Sequence, residues 1–135
     1  MITKIAHIGI AVKDLNASKE IYKKMFQSEP SDVEYIAEQK VNVVKFKVGE
    51  STIELLEGTS PDSPITKFID KKGEGIHHIS YESDNITEDM KRLNNEGFEL
   101  IYKEPKTGSD NSLIAFLHPS STIGVLTELS QHKLP

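Results

Sequence analysis

The stretch GEGIHHISYES, residues 73–83, decides how the chain folds. Gly73-Glu74-Gly75 opens it, and residues 76–82 read as a β-strand of branched, aromatic and hydroxyl side chains. Neighbouring side chains in a strand point to opposite faces, so His77 and His78 cannot both face the interior. The rest of the chain settles which one does.

Upstream, residues 5–12 (IAHIGIAV) form a second strand of the same kind, which stops at Lys13-Asp14. Asp14 or Asn16 is placed to cap a helix in which Leu15, Ile21, Tyr22, Met25 and Phe26 recur at helical spacing, and Glu29-Pro30-Ser31-Asp32 ends it. Strands are expected near residues 33–37, at 41–48 and at 52–57, with Gly49-Glu50 joining the last two as a hairpin. The dense turn signal at residues 58–64 leads into a short helix at 65–72. Beyond the His77-His78 strand, Asp84 or Asn85 caps a helix carrying Ile86, Met90 and Leu93, which Gly97 closes in the left-handed conformation. Strands at 98–102, 113–117 and 125–129 complete the chain. The order strand, helix, three strands is written twice, so the expected fold class is α+β: a single domain of two tandem βαβββ modules, about residues 1–60 and 74–131, joined by a short helical linker.

Superposing the halves tests that reading. His7-Ile8-Gly9 falls on His78-Ile79-Ser80, 71 residues later, and the same offset carries Leu15 onto Ile86. Near the far ends, Thr52-Ile53-Glu54-Leu55 matches Leu126-Thr127-Glu128-Leu129 at an offset of 74. Each half therefore contributes one histidine from its first strand and one glutamate from its last: His7 and Glu54, His78 and Glu128. The residue two beyond each histidine is small, Gly9 or Ser80, which leaves room over the imidazole. Ala6, Ile8, Ile10 and Val12 make the opposite face of the first strand, suited to packing under helices. His78 is thus the repeat partner of His7, and His77 lies on the other face.

Two imidazoles and two carboxylates suit divalent first-row ions. A duplicated module could also keep these residues by descent alone, so the pattern leaves both a metal site and a retained structural pair open. His118 and His132 read as structural or surface residues, Glu57 as solvated on the face opposite Glu54, and Glu88-Asp89 as a solvated face of the second helix. Asp62, Lys71 and Lys72 read as surface charge.

Composition removes other classes. The 135 residues carry 16 Lys+Arg against 21 Asp+Glu, a net charge of −5, with no basic block, so no nucleic-acid partner is expected. The chain has no cysteine, which excludes disulfides, thiolate zinc sites and cysteine nucleophiles together. No stretch approaches membrane-spanning length, so no membrane partner is expected, and a cytoplasmic location follows.

The words HIGIAVKDL (7–15), IELLEG (53–58), DSPITKFI (62–69), GIHHI (75–79), FLHP (116–119) and GVLTELSQ (124–131) together resemble the methylmalonyl-CoA epimerases, within the vicinal oxygen chelate superfamily that also holds glyoxalase I. The resemblance covers nearly the whole chain. It implies two βαβββ modules whose sheet curves around a cleft holding one divalent metal ion, in a homodimer. Co2+ is the ion expected to support activity, with Zn2+, Ni2+ or Mn2+ as alternatives. The family's metal ligands carry over onto His7, Glu54, His78 and Glu128, with an acyl-CoA thioester as substrate. Its activity is interconversion of (2R)- and (2S)-methylmalonyl-CoA through a metal-stabilised enolate. Glu128 is then the expected primary acid or base and Glu54 its counterpart. Lys106, in the loop EPKTGSDN (104–111), is a candidate for substrate binding. One departure stands out: some epimerases place a catalytic Glu on the strand corresponding to KVNVVKF, and the aligned position here is about Val43. The rival readings are a glyoxalase I-type lyase on a hemithioacetal, an iron dioxygenase and a non-catalytic small-molecule-binding protein of the same fold.

Overall fold

The computed structural model describes residues 1–132. Its elements follow the order β1 (Ile2–Ala11), α1 (Leu15–Phe26), β2 (Glu34–Ile36), β3 (Val41–Val48), β4 (Ser51–Gly58), α2 (Pro64–Lys72), β5 (Gly75–Ser83), α3 (Ile86–Asn95), β6 (Lys106–Thr107), β7 (Leu113–Leu117) and β8 (Thr127–Gln131). The chain divides into two compact units: Ile8–His77, and Met1–His7 together with the chain from His78 onward. Each unit thus takes part of β1 and part of β5.

In the unit Ile8–His77 the strands run in the order β2, β3, β4 and the second half of β1. β3 and β4 pair antiparallel from Val41↔Gly58 to Val48↔Ser51, the register that a two-residue Gly49-Glu50 turn imposes. Alternation along these strands feeds two apolar clusters. Val44, Phe46 and Leu55 meet Val12, Ile10 and the α1 residues Leu15, Tyr22 and Phe26 on one face. Val41, Val43 and Leu56 meet Ala11 and the α2 residues Ile65, Phe68 and Ile69 on the other. Burying each such side chain stabilises the fold by about 1.5–3 kcal/mol. The second half of β1 is covered on both faces: Val12 is buried on the Ala6-to-Val12 side, and Gly9 and Ala11, on the His7 side, are buried as well, Ala11 against the α2 residue Ile65 and its neighbours.

Asp14 is the α1 cap and accepts the Ala17 N–H at 3.1 Å. Glu57 is not simply solvated. Its Oε2 accepts the Leu15 N–H at 2.9 Å, placing a carboxylate at the positive end of α1. Asp62 is exposed and paired with Lys40, which with the Ser60 hydroxyl holds its carboxyl down to about 2.

In the other unit the order is the first half of β1, then β5, β8, β7 and β6. β5 and β8 are parallel, β8–β7 and β7–β6 antiparallel. One sheet face packs on α3, where Ile86, Met90 and Leu93 at helical spacing meet Ala115, Leu117 and Leu129. Asn85 caps α3, accepting the Glu88 N–H at 3.2 Å, and Gly97 follows the helix at φ +92. Asp89 departs from the expectation of a solvated face. It is buried and accepts the Ser83 hydroxyl at 2.5 Å, tying α3 back to the end of β5.

The strand expected at 98–102 does not form as a regular element. That segment touches β7 through an isolated Leu100↔Leu117 bridge and the bonds Ile101 N–H to Phe116 O and His118 N–H to Glu99 O. Pro105, which has no N–H to donate, follows closely, and pairing resumes only as the two-residue β6. β8 begins two residues later than expected because Ile123 and Gly124 adopt positive φ in the preceding turn.

Candidate metal centre

The face of the second unit's sheet turned away from α3 carries buried polar groups among apolar ones. Register fixes its composition. Ser80 on β5 stands opposite Glu128 on β8, and Glu128 stands opposite Phe116 on β7. One step along, Ser130 faces Ile114. By strand parity these side chains, with His78, share the face that the apolar cluster under α3 leaves open. Ser80, His78, Glu128 and Ser130 are all buried. The Ser80 and Ser130 hydroxyls lie 3.1 Å apart.

His7, from the first half of β1, completes the group. Its Nε2 lies 2.9 Å from His78 Nε2 and 3.1 Å from Glu128 Oε1; His78 Nε2 is 3.7 Å from Glu128 Oε2. At that separation one ring nitrogen must donate to the other, or both must direct lone pairs at a common cation. Two imidazole nitrogens bonded at about 2.0–2.1 Å to one ion, at right angles about it, are separated by about 2.9 Å. Glu128 Oε1, fully buried, has no hydrogen bond in spite of its nearness to His7. A buried carboxylate oxygen without a hydrogen bond, beside two converging nitrogens, fits a divalent ion. Burial pushes the Glu128 carboxyl up, but the His78 imidazole, then His7 and the Ser80 hydroxyl, outweigh it and hold the group below the usual carboxylate range.

His77 takes the opposite face. It packs edge-on against Phe68 of α2, with ring centroids 5.0 Å apart. Three of the expected ligands, His7, His78 and Glu128, are thus brought together in one unit. Glu54 lies in the other unit, buried on β4, opposite Lys45 and on the same strand face as Leu56. Val43 is buried in the apolar cluster with Ile65 and offers no acid–base group. His118 caps a short turn, accepting the Ser120 N–H at 3.0 Å, and His132 is exposed beside Glu82. Lys106, on the edge strand β6, is exposed, with its ammonium 5.7 Å from the Tyr102 ring centroid. Sequence reasoning passed over Phe116 and Tyr102. Phe116 sits edge-on to His78 at 5.7 Å and Tyr102 to Phe116 at 6.0 Å. Only the β7–β8 register, which has no local signal, turns Phe116 toward Glu128.

The profile of the Glyoxalase/Bleomycin resistance protein/Dioxygenase superfamily matches residues 6–116. The ethylmalonyl-CoA/methylmalonyl-CoA epimerase of Cereibacter sphaeroides is 35% identical over 133 residues, 97% of this chain and 99% of that protein. The chain belongs to the methylmalonyl-CoA epimerase family. Its fold agrees with solved structures of that family. A substituted Streptomyces coelicolor methylmalonyl-CoA epimerase in complex with 2-nitronate-propionyl-CoA superposes with a TM-score of 0.94 at 38% identity, over 100% of both chains. A methylmalonyl-CoA epimerase in complex with methylmalonyl-CoA and NH4+ gives 0.91 at 37%, again over 100% of both. The α+β class, expected from the doubled strand–helix–strands order, and the glyoxalase fold, implied by the resemblance, are thereby shown. Among the described residues no helix is long and apolar enough to cross a membrane.

Proposed function

We propose that this chain is a metal-dependent methylmalonyl-CoA epimerase whose ion is held by His7, His78 and Glu128, with Glu54 as a fourth donor. The observation that carries the reading is the convergence of two imidazole nitrogens and a buried carboxylate on one sheet face, in a chain whose relatives are named for this reaction. The case for Glu54 rests on the internal repeat, in which it is the counterpart of Glu128, and on its burial as a carboxylate.

The chemistry asks two things of the protein. The C2 proton of methylmalonyl-CoA lies between a thioester carbonyl and a carboxylate, and removing it leaves an electron pair that spreads onto the thioester oxygen. A divalent ion bound here supplies Lewis-acid stabilisation of that charge. Glu128, ionised and buried, accepts the proton as the C2–H bond breaks, giving a planar enolate. Return of a proton to the opposite face gives the other epimer, a step that Glu54 serves only when it is off the ion and protonated. The buried walls formed by Phe116 and Ile114 keep bulk water from competing for the carbanion.

Co2+ as the activating ion, a homodimeric assembly and a cytoplasmic location complete the proposal; they follow from the family resemblance, the donor set and the composition.

The test follows the C2 proton of racemic methylmalonyl-CoA by NMR in D2O, with methylglyoxal and thiol assayed in parallel. Exchange that EDTA abolishes and Co2+ restores is the expected result. A Glu128→Gln variant should exchange at least about a hundredfold more slowly, the range general-base groups supply. Turnover of the hemithioacetal with a silent C2 proton would move the protein to lyase chemistry. Silence in both assays would favour a binding protein.

A further inference from the structure

The edge of the site face carries a feature that the proton-transfer chemistry does not use. Lys106 pairs with Ile114 across β6 and β7, and Ile114 pairs with Ser130, so strand parity turns Lys106 to the same face as Phe116 and Glu128. Two strand spacings and two residues along put its Cα about 12 Å from that of Glu128. Its ammonium stands over the Tyr102 ring, 5.7 Å from the centroid, within cation–π range. That ring meets Phe116 edge-on at 6.0 Å, and Phe116 meets His78 edge-on at 5.7 Å. A continuous aromatic strip therefore runs from the proposed metal ligand to a cation at the sheet edge.

The loop behind Lys106 is held firmly. A Cβ on Gly108 would come within 2.7 Å of the Ile114 side chain, so the backbone lies directly on β7. Gly108 N–H bonds Ser112 O at 2.9 Å, and the Ser112 hydroxyl bonds Ser109 O at 2.8 Å. The lysine thus projects from a fixed point. A cation there is too far along the face to belong to the ligand cluster, and the Tyr102 and Phe116 rings are what connect it to that cluster.

Resting on the epimerase reading, we infer that Lys106, positioned over the Tyr102 ring, anchors a phosphate of the substrate's nucleotide carrier, while Tyr102 and Phe116 form the apolar strip along which the pantetheine arm runs. The chemistry favours this assignment. The chain carries a net charge of −5, so a polyanionic ligand is repelled at long range and needs a local cation on the approach. An ammonium is a compact charge suited to phosphate oxygens.

Steady-state kinetics on two thioesters test it: methylmalonyl-CoA and methylmalonyl-pantetheine, which lacks every phosphate. Lys106→Ala should raise KM for the CoA ester about fivefold, the upper range for an exposed charge pair. It should leave kcat unchanged and KM for the pantetheine ester unmoved, and Lys106→Arg should restore the CoA value. An equal rise in KM for both esters, or no rise for either, would overturn the anchor. Tyr102→Leu, which keeps the charge, should raise KM for the CoA ester by a smaller factor; a wild-type KM would overturn the ring's part. If wild-type protein turns over neither ester, the epimerase reading is what fails. Calorimetric titration with CoA then decides separately: weaker binding to K106A than to wild type or K106R upholds the anchor, and equal affinity removes it.

Discussion

His77 and His78 are adjacent in sequence, yet one packs on Phe68 and the other faces Glu128. The period of two in a strand is the whole reason, and it separates the consequences of substituting each. His78→Ala removes one of two nitrogens converging at 2.9 Å and should abolish stoichiometric Co2+ uptake together with C2 exchange. His77→Ala should keep both, while losing an edge-to-face ring contact of about 0.5–1.5 kcal/mol, visible as a lower urea midpoint. Metal analysis and urea titration of the two variants check this pair of outcomes. Equal loss of metal from both would mean that strand parity does not govern the site.

At the scale of elements, α3 is fixed at its start by side chains that a reading for periodicity treats as solvent-facing. Asn85 caps the helix, Gln131 Oε1 accepts the Ile86 N–H at 2.8 Å, and buried Asp89 accepts the Ser83 hydroxyl. Burial alone would push the Asp89 carboxyl up. Ser83, the N-terminal ammonium and Arg92 outweigh that and hold it below the ordinary value. A carboxyl depressed in the folded state adds stability that is present above its unfolded value, near pH 4, and is lost as pH falls through the folded one. Asp89→Ala should therefore cost about 1–3 kcal/mol at pH 7. The difference from wild type should begin to shrink below about pH 4 and go on shrinking as pH falls through the depressed value of the folded carboxyl. Urea unfolding at pH 7 and pH 3 measures it; a constant difference across that interval would mean that the charge is not what stabilises the helix start. Asp89 and Glu57 depart from the expected solvated faces for one reason. Sequence periodicity identifies which positions face a helix's own apolar partner, but not which polar positions meet the end of another element.

Over the whole molecule, most of the architecture was legible because its signals repeat. The hairpin at Gly49-Glu50, the caps Asp14 and Asn85, and the doubled element order each follow from local rules. The irregular edge at 98–107 did not, since Phe98 and Leu100 have strand-like composition and only Pro105 hints at the break. Within the candidate site, histidine and glutamate positions could be found by laying one half on the other, whereas Phe116, Tyr102 and the face taken by Lys106 depend on strand pairings that no single sequence prints. The same non-locality governs what an ion does to stability. His7, His78 and Glu128 come from three strands separated by long stretches of chain, and an unfolded chain has no preformed site. An ion at a hundredfold its Kd then stabilises the folded state by about 2.7 kcal/mol, which for a domain of this size raises Tm by about 10 °C. Chelated wild-type protein should show this rise on adding Co2+, and His7→Ala and Glu128→Ala should show little of it. Glu54→Ala decides the fourth donor: a shift reduced but present means a ligand added to a competent set of three, and a full shift means that Glu54 stays off the ion and serves, if at all, in proton transfer.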